Sequence, residues 1–155
     1  MSLHARTLKN IATLDPKAQD AFVLFATIAQ KVAAENGCEY IMIGGNRTWK
    51  EQDALYAKGR TQPGGKVTNA RGGYSNHNFG IAADFGVFSG KVYLDESDPA
   101  RADKVHRACA AHAEDCGLDW GGHWQSFQDT PHYEIHTVLS LQQKRERFQQ
   151  KGSVL

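Results

Sequence analysis

SNHNFGIAADFGVF, residues Ser75–Phe88, places one imidazole and one carboxylate in a run otherwise dominated by small and apolar residues. Its second half, AADFGVF, has the apolar and aromatic character of a strand. His77 then lies in the loop that feeds this strand, and Asp84 projects from it. A turn at Gly80 brings the two side chains toward one point. After the strand, SGK reads as a short hairpin turn into a second strand, KVYLD.

The segments on either side supply the rest of a small mixed fold. LDPKAQDAFVLFATIAQKVAAENG opens with Asp15 as N-cap and Pro16 at the first helical position, and it closes on Gly37. Between them Phe22, Phe25, Ile28, Ala29 and Val32 recur at helical spacing, so the helix is amphipathic. CEYIMIGG reads as a buried strand. RTWKEQDALYAKGR reads as a helix with Thr48 and Glu51 spaced as a capping box and Gly59 at its end. TQPGGKVTNARGG has no periodicity and is expected to be a long surface loop, a feature uncommon unless functional. DPARADKVHRACAAHAEDCG repeats the Asp-Pro helix opening and ends on Gly117. HYEIHTV is a strand with His132, Glu134 and His136 on one face. SLQQKRERFQQKG is a polar, helical C-terminal segment whose charge run reads as a solvated face. Helices and strands mix without a βαβ alternation, which predicts an α+β domain with a small antiparallel sheet and flanking helices, spanning residues 1–155 as one unit.

Charge and composition exclude several functions. The 155 residues carry a formal charge of +1, and no basic run interleaved with aromatics occurs outside the C-terminal tail. Sequence-independent nucleic-acid binding therefore lacks its electrostatic footprint. No apolar run is long enough to span a bilayer, and the first residues show no signal-peptide core. The expectation is a soluble product made in the cytoplasm. Cys38, Cys109 and Cys116 form no CxxC pair and are expected to act as small buried hydrophobes.

A second cluster, FQDTPHYEIH, adds Asp129 and His132 with a proline between them. Imidazole and carboxylate are ligands that zinc accepts, and two histidines with one carboxylate leave a fourth position open, as in catalytic sites. The spacing alone does not decide the matter. A histidine in a glycine-rich loop commonly serves as a surface or hydrogen-bonded residue, and Asp84 can equally cap a turn or pair with Arg47 or Arg71.

The motifs themselves point further. SNHNFGIAADFG fits the SxHxxGxAxD pattern, with Ser75, His77, Gly80, Ala82 and Asp84 in their places. In this the chain resembles the zinc peptidases that include D-alanyl-D-alanine carboxypeptidases and the L-alanyl-D-glutamate peptidases of phage endolysins. GGNRTWKEQDALYAKGRTQPGGKVTNARGG looks like the endolysin branch, and GLDWGGHWQSFQDTPHYE is similar to its closing zinc segment. The resemblance runs from about Ile41 to Glu134.

This resemblance implies a hedgehog/D-Ala-D-Ala-peptidase-like fold and one zinc ion per chain held by His77, Asp84 and His132. Asp129 would be the general acid/base. Arg47 would orient a substrate carboxylate or steady the oxyanion, Ser75 would hydrogen-bond substrate, and Trp124, with Trp120, would wall the cleft. The implied substrate is the stem peptide of peptidoglycan, cut at the L-alanyl-D-glutamate bond by a monomer that reaches the wall after lysis or through a holin. The rival within the class is a D,D-carboxypeptidase or dipeptidase acting on D-Ala-D-Ala termini. A metal-containing binding module without turnover is the rival outside it, and Asp129 argues against that one because a binder needs no proton shuttle. The chain departs from the endolysin branch at His123, where aspartate is usual, and at Tyr133, where phenylalanine is common. His123 is expected at the cleft rim without holding metal, either as a solvent-facing histidine with no role or as a group whose titration tunes the pH profile or substrate fit. His136 is expected to be an exposed imidazole.

Overall fold

The computed structural model of the chain describes residues 2–155. Helix α1 (Ala5–Ile11) precedes the long helix α2 (Pro16–Glu35), which the Asp15 carboxylate caps by accepting the Lys17 N–H at 2.9 Å. Strand β1 (Glu39–Gly44) follows, then helix α3 (Trp49–Ala57), whose Thr48–Glu51 capping box is complete. The glycine-rich segment after it leads into a short 3-10 turn, Asn76–Phe79, and strand β2 (Ala82–Ser89). Strand β3 (Val92–Tyr93), helices α4 (Leu94–Ser97) and α5 (Pro99–Ala110), strands β4 (Leu118–Trp120) and β5 (His132–Ile135), and helix α6 (Leu141–Lys151) complete the chain.

The sheet runs β1-β2-β5-β4, with β3 paired to β2, and every pairing is antiparallel. This is the α+β architecture expected from the pattern of elements. Period-two alternation gives the sheet two unlike faces. Ala83, Phe85 and Val87 of β2 and Tyr133 of β5 enter the core with Phe22, Phe25 and Ala29 of α2. The Phe25 ring lies 4.5 Å from Tyr133 and, edge-on, 5.4 Å from Phe85. Each such ring contributes roughly 1.5–3 kcal/mol on leaving water. Asp84 and His132 alternate with these residues and so emerge on the opposite face, directly across from each other.

Several segments differ from the sequence-based expectation. The strand expected over KVYLD stops at Tyr93, because Asp95 turns inward to accept the Val87 N–H at 2.8 Å and the chain leaves the sheet as α4. The strand expected over HYEIHTV ends at Ile135, with one further bond from the His136 N–H to the Gly117 carbonyl at 3.0 Å. Helix α6 is mostly solvated, yet Lys144 is buried, and Phe148 stacks on Trp49 and meets Phe79 edge-on. These rings adjoin a second small core of Phe79, Ile81 and Val154. The three cysteines are free and buried, as expected.

Candidate metal centre

The His77 turn is held by an interlocking set of polar contacts. The Ser75 hydroxyl caps the turn by accepting the His77 N–H at 3.3 Å. The Asn78 amide accepts from the Gly73 N–H and donates to the Arg47 carbonyl, while the Arg47 N–H donates to the His77 carbonyl at 2.8 Å. Gly80 closes the turn at φ 69°, and its carbonyl accepts the Asp15 N–H at 3.0 Å. A side chain there would collide with the Asp15 backbone as well as strain the left-handed conformation.

His77 Nδ1 lies 3.1 Å from the Gly45 carbonyl oxygen. A carbonyl only accepts, so Nδ1 carries a proton there, and Nε2 is the nitrogen turned toward Asp84 Oδ2, 3.3 Å away. Asp84 stands where the β1–β2 register shifts between Met42 and Gly44, a bulge beside the site. On its other side, Asp84 Oδ1 is 3.4 Å from His132 Nδ1, and His132 Nε2 is 2.8 Å from Glu134 Oε1. Each histidine thus spends one nitrogen on an outer acceptor and turns the other toward Asp84. Metal-ligating histidines are characteristically oriented this way.

The spacing fits a shared cation. One donor atom each from His77, Asp84 and His132 lies within 4.8 Å of the other two. Charge-assisted hydrogen bonds settle at about 2.7–2.9 Å, shorter than the two gaps to Asp84. Ligands at about 2.0–2.1 Å from a tetrahedral zinc stand roughly 3.3–3.4 Å apart, and the three donors, within 4.8 Å of one another, lie near that spacing. The electrostatics agree. Burial opposes charge on Asp84, but hydrogen bonds from His132 and His77 hold its carboxyl well below the usual carboxylate range. Burial likewise opposes a charged His132, yet Asp84 and Glu134 outweigh it and lift its pKa to about 9. The site therefore favours positive charge between His132 and Asp84, the setting that a dication would meet.

Asp129 stands beside this cluster and is not one of its three members. Its N–H donates to the Gly121 carbonyl at 3.0 Å, and its own carbonyl accepts the His132 N–H at 3.2 Å, so the turn that carries Asp129 also seats His132. Gly121 packs beneath: an added Cβ would press to 3.1 Å from His132 Cβ and 3.2 Å from Asp129 Cβ. Burial, and then the negative charge of Asp84, raise the Asp129 pKa.

The remaining sequence-predicted residues fall around this centre in different ways. Arg47 donates through Nη1 to Gln52 Oε1 at 2.7 Å, and Gln52, fully buried, is anchored in turn on the Ala70 carbonyl. Among the described residues Arg47 forms no ion pair. The Trp124 ring sits 4.9 Å from the His132 ring and is 38% exposed. Trp120 is buried, with its indole N–H on the Thr130 carbonyl. His123 is exposed, meets Trp120 edge-on, and lies outside the metal cluster. His136 is exposed and pairs with Asp119 at 2.9 Å. A groove of about 810 Å³ runs along Arg107, Leu118 and Asp119 to His123, Trp124 and Glu134, and none of His77, Asp84, Asp129 or His132 lines it. Sequence reasoning placed Glu134 on the His132 face without giving it a task. A carboxylate two residues after a strand histidine was the available signal.

These features define a metallopeptidase-type centre on an α+β scaffold, and comparison with known proteins agrees. A family described as D-alanyl-D-alanine carboxypeptidase matches residues 68–135. The peptidoglycan L-alanyl-D-glutamate endopeptidase CwlK of Bacillus subtilis (strain 168) is 37% identical over 116 residues, which cover 71% of this chain and 68% of CwlK. The L-Ala D-Glu endopeptidase ChiX of Serratia marcescens shares the fold with a TM-score of 0.54 at 22% identity, covering 85% of this chain and 87% of ChiX. The vancomycin-resistance D,D-pentapeptidase VanY, solved in complex with Zn(II), aligns with a TM-score of 0.50 at 14% identity over 90% of this chain and 80% of its own. The chain belongs to the D-alanyl-D-alanine carboxypeptidase family of metallopeptidases.

Proposed function

We propose that the protein is a zinc-dependent peptidase that hydrolyses the L-alanyl-D-glutamate bond of the peptidoglycan stem peptide. The observation that carries the metallopeptidase reading is the convergence of His77 Nε2, Asp84 and His132 Nδ1, each histidine oriented by an acceptor on its far nitrogen. The choice of bond rests on the 37% identity to an enzyme named for it. His77, Asp84 and His132 would hold the zinc, whose Lewis acidity polarises the scissile carbonyl and the attacking water. Asp129 takes the proton of that water and returns it to the leaving amine, a task suited to a half-buried carboxyl with a raised pKa. Arg47, held by Gln52 and free of a carboxylate partner among the described residues, is available for a substrate carboxylate or the developing oxyanion. Ser75 acts first as the cap that sets His77, and Trp124 walls the cleft beside His132.

The motif likeness to phage endolysins supports a lytic setting in which a monomer reaches the wall through a holin. No helix among the described residues is long and apolar enough to cross a membrane. The second reading, release of D-alanine from D-Ala-D-Ala termini, is favoured by the description of the matching family. Mass spectrometry of muropeptides digested by the zinc-loaded protein separates the two. New N-terminal D-glutamate supports the endopeptidase, and free D-alanine without it replaces that reading with the carboxypeptidase.

A further inference from the structure

Glu134 does not stand alone behind His132. Its second oxygen, Oε2, accepts a hydrogen bond from Asn76 Nδ2, and Asn76 Oδ1 accepts from Lys144 Nζ at 2.9 Å. Lys144 belongs to α6, 68 residues from Asn76 in sequence, and is only 6% exposed. The direction of each bond in this chain is forced. A lysine ammonium only donates, so the amide of Asn76 turns its oxygen to Lys144. Its NH₂ then faces Glu134, and an ionised carboxylate only accepts. The other Glu134 oxygen takes the proton of His132 Nε2, which leaves His132 Nδ1 as the nitrogen turned to Asp84.

We propose that Lys144 and Asn76 are positioning residues for the metal centre: through Glu134 they fix which nitrogen of His132 faces Asp84, making the C-terminal helix part of the site. This inference rests on the reading of His132 as a metal ligand. Without Lys144 the Asn76 amide loses the partner that sets its orientation, and a flipped amide would turn its oxygen against the Glu134 carboxylate. Phe148 is a separate contact of α6, stacked on Trp49 with ring centroids 5.9 Å apart and against Phe79 at 5.6 Å, and it takes no part in the Lys144–Asn76–Glu134 chain.

The test is zinc affinity, measured by titrating zinc into the metal-free full-length protein against a competing chelator, for the wild type, Lys144→Met, Asn76→Leu, the double variant, and Phe148→Ala. Loss of an outer partner of a ligand weakens metal binding by about 10–100-fold. That loss is expected for Lys144→Met and Asn76→Leu alike, with the double variant no weaker than either, because the two residues act in one chain. Phe148→Ala should lower the melting temperature while the folded protein binds zinc as the wild type does. Wild-type affinity in Lys144→Met, additive losses in the double variant, or an equal loss in Phe148→Ala would each overturn the inference alone. A wild-type protein that binds no zinc would overturn the metal centre with it.

Discussion

Two histidine–aspartate clusters lie on opposite faces of the same sheet, and they are built to opposite ends. Beneath the sheet, His106 Nε2 meets Asp95 Oδ1 at 2.5 Å and His106 Nδ1 meets the Tyr40 hydroxyl at 2.7 Å. Tyr40 continues to Tyr133 at 2.7 Å, and the second Asp95 oxygen accepts the Val87 N–H. Every ring nitrogen and carboxylate oxygen of this cluster has a short partner, so it is closed. On the other face His77, Asp84 and His132 use similar groups, but the gaps to Asp84 stay at 3.3 and 3.4 Å. Tyr133 belongs to the closed cluster and its neighbour His132 to the open one, so one strand serves both. Residue type therefore does not distinguish a structural histidine from a metal-ligand candidate. The length of its contacts and the commitment of its second nitrogen do.

Substitution should separate the clusters most sharply at their aspartates and histidines. Asp84→Ala should abolish zinc retention and reduce muropeptide cleavage to background, while the melting temperature of the metal-free protein moves by no more than about 4 °C. Zinc analysis and a thermal scan of one preparation check both halves. Asp129→Ala should keep its zinc and lose about 10²–10⁴-fold in turnover, read as kcat at unchanged metal content. A parallel fall in zinc would instead place Asp129 among the ligands. In the closed cluster His106→Ala should reverse the pattern. It leaves Asp95 and Tyr40 without their partner and should cost about 2–4 kcal/mol in denaturant unfolding, with zinc binding retained by the folded protein.

The smallest effect is expected at His123, which touches Trp120 and neither cluster. His123→Asp should leave zinc content unchanged and move kcat/KM by no more than about threefold, about 0.7 kcal/mol. A lost zinc would show that the rim reaches the metal.

Local chemistry made much of this legible. Asp15–Pro16, Thr48–Glu51 and Gly80 announce helix starts and a turn through capping and backbone freedom, effects confined to a few neighbouring residues. Alternation along β2 and β5 likewise placed Asp84, His132 and Glu134 on single faces of their strands. What stayed hidden depends on partners distant in sequence. Helix α1 buries only Thr7 and Ile11 and leaves Leu8 half exposed, so its periodicity is faint, and its Thr7 hydroxyl instead receives the Met42 N–H. Strand β4 has three residues between glycine-bounded turns and exists because β5 pairs with it. Lys144 sits in a run that looks solvated, and only the approach of α6 to Asn76 buries it.

In the proposed function His77, Asp84 and His132 hold one zinc on which peptide cleavage depends. The most direct test follows zinc content and muropeptide cleavage in the same wild-type sample through chelation and reloading. One zinc per chain, with cleavage lost as the metal leaves and regained in proportion as it returns, is the result expected. Full cleavage by protein shown to be free of metal would contradict it.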